Sequence, residues 1–381
     1  MFCCQISTTG WSLSRREAFG SDKQKPKPFW IVFWIWNLCF GISICFSQKL
    51  GGEPFDKLRT GPGRTIDSLL NVLKIAHDDT NKVNTLNVLS DKLGRTGDYD
   101  KAMQYAMQAI TLAEQISLPL GKGRGWAKGI ASSLGNIGNI YYQQGDYPKA
   151  LDQYFKSLKI KEKLGNKKGI ANSLNNIGLI YFEQGDYPKA LDQDFKSLKI
   201  REEIGDKQGI ANTINNIGLI YYEQGDYRKA LMQHFKSLKI REEIGDKQGI
   251  ASSLTNIGVS YHAQGDSAFA MGNTNFALAD RYPKALAQYD KALKIKEEIG
   301  DKDGIASSYI NLGSINIKLK KFSEARKYLD DALSLSKEIG NKDDIKDSYS
   351  GLSALDSTTG NWRSAYEHHR QYIMYRDRIF N

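Results

Sequence analysis

The sequence predicts an all-α fold made of antiparallel helix pairs stacked in series. Three observations predict it. A 40-residue unit recurs, with residues 170–209 and 210–249 identical at 34 of 40 positions. Each unit carries two apolar stripes at helical spacing, parted by a glycine-centred turn. The composition completes the case: 35 Gly stand against 8 Pro, with 40% hydrophobic and 25% charged residues. That suits a folded chain dense in turns and excludes collagen, Pro-rich linkers and wholesale disorder.

The array does not begin at once. Residues 1–28 are a basic leader carrying Arg15, Arg16, Lys23, Lys25 and Lys27. Residues 29–46 follow without a charge and with only Asn37 and Ser43 polar. Basic flank, apolar stretch and small residues are the order of a secretory signal, with Cys45 and Ser47 suited to cleavage. As a helix the stretch also reaches about 27 Å, enough for a retained span. Residues 29–47 are therefore expected to be a signal peptide or a membrane anchor. The chain would be exported to a periplasm or held in the membrane through residues 29–46, and cytoplasmic only if the leader is not real. Residues 48–64 read as a Gly/Pro linker.

Cysteine and charge narrow the function. Cys3, Cys4, Cys39 and Cys45 all precede residue 48, so the body has no disulfide, no Cys-ligated zinc and no cysteine nucleophile. Of the formal charge of +10, residues 1–50 carry +4. The rest is spread along the array, with Lys and Arg alternating with Glu and Asp, which argues against nucleic acid as a partner.

Residues 65–381 form the array of about seven units. A lone helix over Ile66–His77 precedes a weak copy from Lys82, and full units begin at Ile130, Ile170, Ile210 and Ile250. Two more begin at Ile305 and Ile345 once a 15-residue insert, 267–281, is set aside. In the unit from Ile130, Leu134, Ile137, Ile140 and Tyr141 make one buried stripe. Gly145 suits a left-handed helix end, Asp146 an N-cap and Pro148 a first turn. Ala150, Leu151, Tyr154, Phe155 and Leu158 make the second stripe. The Ala-rich insert, which lacks Pro, is expected to extend the helical hairpin of its unit, with Phe269, Met271, Phe276 and Leu278 covering a neighbour or a partner.

The pattern Leu134, Ile137-Gly138, Tyr141, Ala150 and Tyr154 resembles the tetratricopeptide repeat. It returns at Leu174, Ile177-Gly178, Tyr181, Ala190 and at Ile214, Ile217-Gly218, Tyr221, Ala230. Asp194 and His234 stand where the pattern has an aromatic residue, with Phe195 and Phe235 directly after. Asn316, Ser353 and Asp356 depart from it in the last two units. The 40-residue period is similar to the kinesin-light-chain and Pins-like variety. The resemblance implies a right-handed superhelical solenoid with the first helix of each pair lining the concave side.

No catalytic constellation is present. Gly121–Gly125 lacks the terminal Lys-Ser/Thr of a phosphate-binding loop. His368-His369 project in different directions from one helix, and Glu202-Glu203 and Glu242-Glu243 recur with the repeat as a solvated helix end. A non-enzymatic protein without metal or cofactor is expected. The informative polar residues are asparagines, poor helix-interior residues that compete for backbone hydrogen bonds. Asn136, Asn176, Asn216, Asn256 and Asn311 share one repeat position. Asn175 and Asn215 precede two of them, and Asn172 and Asn212 lie one turn earlier. A ladder of amides can grip the backbone of an extended peptide, as the resemblance implies, or bond helix to helix within the stack. Glu183 and Glu223 border the same face and favour a polar or basic ligand.

The expected partner is thus a protein or peptide on the concave face. Two alternatives remain. The tail Tyr372–Asn381 resembles the last helix of repeat-bearing bacterial signalling proteins of histidine-kinase or cyclase type. The chain would then be the sensory half of a truncated or split signal-transduction protein. The other alternative is a cytoplasmic scaffold.

Overall fold

A computed structural model describes residues 65–117 and 124–380, so the leader, the apolar stretch and the linker lie outside the described residues. Among the described residues there is no strand. Among the described residues no helix is long and apolar enough to cross a membrane either.

The chain opens with α1 (Ile66–Ile75), α2 (Thr80–Arg95) and α3 (Tyr99–Ser117). Three regular pairs follow: α4 (Arg124–Gln143) with α5 (Tyr147–Leu164), α6 (Lys167–Glu183) with α7 (Tyr187–Glu203), and α8 (Lys207–Glu223) with α9 (Tyr227–Glu243). The fifth unit holds α10 (Lys247–Ala270), the short α11 (Thr274–Phe276) and α12 (Tyr282–Glu298). The last four helices are α13 (Lys302–Lys318), α14 (Phe322–Ile339), α15 (Lys342–Thr358) and α16 (Trp362–Phe380). From α2 onward, each long helix packs on the one before it and the one after it. The result is a right-handed solenoid of antiparallel helix pairs.

The turns explain why the pairs form. Asp146 accepts a hydrogen bond from the Lys149 amide and caps α5, with Pro148 in the first turn. At the other end Gly165 takes φ 66°. There the Gly165 amide donates to the Glu162 carbonyl and the Asn166 amide to the Lys161 carbonyl, the paired bonds that close a helix on a left-handed residue. Asn166 then caps α6 by accepting from the Gly169 amide at 3.0 Å. One dipeptide thereby ends a helix and starts the next. In the sixth unit Lys320 sits at φ 58° where the regular units place glycine.

The interior is shared between units. Ala150, Tyr154 and Leu158 of one pair cluster with Leu174, Ile177 and Ile180 of the next. Within a pair the helices cross over a glycine. A methyl group on Gly138 would lie 2.6 Å from the Tyr154 ring, on Gly218 2.7 Å from His234, on Gly258 2.6 Å from Tyr289 and on Gly313 2.6 Å from Leu329. Ion pairs Lys167–Glu203, Lys207–Glu243, Lys247–Glu298 and Lys302–Glu338 recur along the outside. All are exposed, so each contributes less than about 1 kcal/mol.

One expectation about apolar residues is corrected. Phe155 is not in the buried stripe: it is 45% exposed, and Phe195 and Phe235 are 48% and 42% exposed. Successive residues on a helix are about 100° apart, so Tyr154, Asp194 and His234 take the inward direction and the phenylalanines face outward. The insert is helical and extends the hairpin of its own unit, as expected. It lengthens α10, turns at Gly272 and returns through a π-helical turn, Ala277–Arg281. Phe269 and Met271 at its tip are exposed, whereas the Arg281 guanidinium lies over Phe276 and Tyr261.

The crossing glycine gives a test. The Tyr154 hydroxyl is anchored on Asn139 Oδ1 at 2.6 Å, so its ring has little freedom to yield. Gly138→Ala should lower stability by about 1–3 kcal/mol, read as a lower urea midpoint by circular dichroism. Gly178→Ala, whose methyl would meet an Asp194 oxygen at 3.1 Å, should cost less.

Candidate protein-interaction face

The first helix of each pair divides its polar residues between two columns. On α6, Asn172, Asn176, Leu179 and Glu183 are only partly buried, at spacings of four, three and four residues, hence on one stripe. Asn212, Asn216, Leu219 and Glu223 repeat it on α8, and Asn136 and Asn139 continue it on α4. Asn175, Asn215, Asn256 and Asn311 are instead buried, none more than 7% exposed.

The buried column works within the stack. Asn175 Nδ2 donates to Asp194 Oδ1 at 2.5 Å. Its Oδ1 accepts from Ser197, Arg201 and Thr213, the last from the following unit. Asn215 Oδ1 faces His234 Nδ1 at 3.1 Å and accepts from Asn256 Nδ2 at 2.9 Å. The sequence could not show that the two departures at the aromatic position and the two extra asparagines are partners. Where position 154 keeps its tyrosine, position 135 is glycine; where Asp or His replaces the ring, the facing residue is an amide. Burial pushes the Asp194 carboxyl up to about 8 and holds His234 down at about 3, neutral.

The open column also bonds locally, while its side chains stay partly exposed. Asn136 Nδ2 donates to the Asn87 carbonyl at 2.8 Å, and Asn176 Nδ2 reaches Asn139 Oδ1 at 3.4 Å. Asn172 and Asn212 accept from the guanidinium groups of Arg201 and Arg241 at 2.8 and 2.9 Å. Those arginines are themselves buried, so they orient the amides from behind. Glu183 accepts from the Tyr142 hydroxyl of the preceding unit at 3.2 Å. The stripe is therefore a row of partly exposed amides, four of them held by hydrogen bonds, with two carboxylates on the same stripe. Sequence reasoning missed Asn139 and the arginines, which lie outside the asparagine register it followed. Among the described residues no cluster of three metal-ligating side chains occurs.

Models described as "Tetratricopeptide repeat" match residues 84–116, 129–203, 209–272, 269–338 and 304–373. The chain belongs to the tetratricopeptide repeat family. No curated protein matches the sequence. Among solved structures, this repeat protein is similar to BtubC from P. vanneervenii, at 18% identity over 63% of this chain and 91% of the other, with a TM-score of 0.52. It is similar to the apo form of RapI, at 19% identity over 77% and 98% with a TM-score of 0.55. A third likeness is the Signal Transduction ATPase with Numerous Domains from Pyrococcus horikoshii, which carries a tetratricopeptide repeat sensor. There the identity is 16% over 83% of this chain, with a TM-score of 0.57, and the chain spans half the length of that structure. These likenesses show the fold. Repeats of this kind are typical of protein–protein interaction modules, and the scaffold is generally non-catalytic.

Asp194 gives a pH prediction. Its folded-state value of about 8 lies above that of an unfolded aspartate, so the folded state holds the proton more tightly. Stability should fall as pH rises from about 4 through about 8. Asp194→Asn should raise the thermal midpoint above about pH 8 and change it little near pH 4, in melts at both values.

Proposed function

We propose that this repeat protein is a non-enzymatic interaction module that holds an extended polypeptide on the concave face of α4, α6 and α8. The observation that carries this reading is the open column of Asn136, Asn172, Asn176, Asn212 and Asn216, in which buried Arg201 and Arg241 orient Asn172 and Asn212 from behind and Leu179 and Leu219 flank the amides. An amide offers a donor and an acceptor, the complement of a peptide unit, so it reads backbone before side chain. Near-identity of the third and fourth units sets the same grip twice, one repeat apart, which favours an extended or repetitive ligand. The apolar, uncharged run at 29–46 supports export or membrane anchoring, which fractionation of tagged full-length chain would test: an intact soluble cytoplasmic product sinks it.

Asn136→Ala, Asn176→Ala and Asn216→Ala together should reduce capture of the native partner in pull-down by at least about tenfold, since each lost hydrogen bond is worth roughly 0.5–1.5 kcal/mol. Far-UV circular dichroism should stay helical. Undiminished capture by the folded triple variant overturns the assignment.

A further inference from the structure

The third and fourth units are identical at 34 of 40 positions, and two of the differences alter the outward face of the second helix. Arg228 of α9 stands where α7 has Pro188, and Met232 where α7 has Asp192. The change removes a local partner. On α7 Asp192 holds Lys196 at 2.7 Å, and on α5 Asp152 holds Lys156 at 2.6 Å. With Met232 in that place, Lys236 makes no ion pair among the described residues, and Lys239 makes none either.

Arg228, Met232, Phe235, Lys236 and Lys239 are all exposed, and their spacings set them within about 100° of one another around the helix. Met232 and Phe235 are 48% and 42% exposed. The Phe235 ring meets Tyr261 of the fifth unit edge-on, with centroids 6.5 Å apart, which steadies the ring without covering it. Acids at the two ends of α9 are engaged elsewhere, Asp226 with Lys229 at 2.8 Å and Glu243 with Lys207 at 3.4 Å. Glu242 lies beyond Lys239, at the helix end. The face thus joins two apolar side chains to lysines, one of which lacks the carboxylate its counterparts have.

We propose that the outer face of α9 docks an acidic polypeptide segment carrying an apolar residue. One carboxylate of the segment meets Lys236, in the place that Asp192 fills on α7, and another meets Lys239. The apolar residue covers Met232 and Phe235, a side chain that adapts its shape beside a ring of large apolar area. A segment fits better than an anionic bilayer because the positive face is narrow. It follows one helix for roughly 16 Å. Glu242 and Glu243 close it, and Glu202 and Glu203 are exposed on the second helix of the preceding unit. A planar anionic surface would meet those carboxylates as well. The open amide stripe lies on the first helices, so this is a second surface with its own ligand chemistry.

The test uses the full chain and two fluorescein-labelled Gly/Ser peptides, each with one central leucine. One has glutamates on both sides of it, the other glutamines. In anisotropy titrations the glutamate peptide should bind at least about fivefold more tightly, as two exposed ion pairs allow. Lys236→Gln with Lys239→Gln should abolish that preference. Met232→Asp, which gives α9 the residue of α7, should abolish it too by pairing Lys236 within the chain. Both variants should stay helical by circular dichroism, since every substituted side chain is exposed. Asn176→Ala with Asn216→Ala should leave both affinities unchanged, and a loss there would put the peptide on the amide stripe and overturn the proposal. Equal affinities for wild type, binding of neither peptide, or a preference that survives either α9 variant also overturns it. So does capture of phosphatidylglycerol vesicles in place of the peptide, lost in the same variants, which would make the face a lipid surface.

Discussion

The structure depends on how closely the two helices of a pair approach one another over a glycine. Tyr154, His234, Tyr289 and Leu329 each lie where a methyl on the opposing glycine would stand, within 2.7 Å of the side chain. That contact sets the depth of the pair and so the width of the surface offered to the next unit. No unit buries its stripe alone: Ala150 and Tyr154 complete their core with Leu174 and Ile177 of the following pair. Stability in such an array is a sum of intrinsic and nearest-neighbour contributions, which is why near-copies can be added without redesign.

Copying creates a difficulty when the residue over the glycine changes. An aspartate or a histidine in place of a ring brings a polar group into a site fully closed to water, which costs free energy unless a partner is supplied. Asn175 and Asn215 are those partners, and each reaches into the next unit, through Thr213 and Asn256. The polar substitution thus turns an intra-pair contact into a bond between units.

This pairing also marks how far the sequence was legible. Helix pairs, turns and the glycine crossings follow from local rules: a 3.6-residue period, Gly165 at a left-handed helix end, Asp146 as a cap. The asparagine register was legible too, but not its division. Asn175 and Asn176 are neighbours in sequence, about 100° apart on α6, and only the position of α7 makes one a core residue and the other a surface one. Phe155 failed for the same reason, since two adjacent aromatics cannot both point inward. Lys320 shows a gap of another kind: backbone context holds a lysine at φ 58°, where turn chemistry alone calls for glycine.

The division of the asparagines bounds the surface that can meet a partner. Along α4, α6 and α8 the column at 136, 176 and 216 stays open, and in α10 its counterpart Asn256 is buried together with Val259 and Ser260. The same unit carries the insert, which lengthens α10 by almost two turns and returns through a π-helical turn. There Gly265, a turn residue by its place in the repeat, becomes a mid-helix residue packed under Tyr282. The open amide stripe and its carboxylates therefore end at the same helix, for the same reason: the fifth unit keeps the helix pair but not the geometry of its turn. The polar face is a property of the three regular units, and the array beyond α10 continues the stack on a different surface.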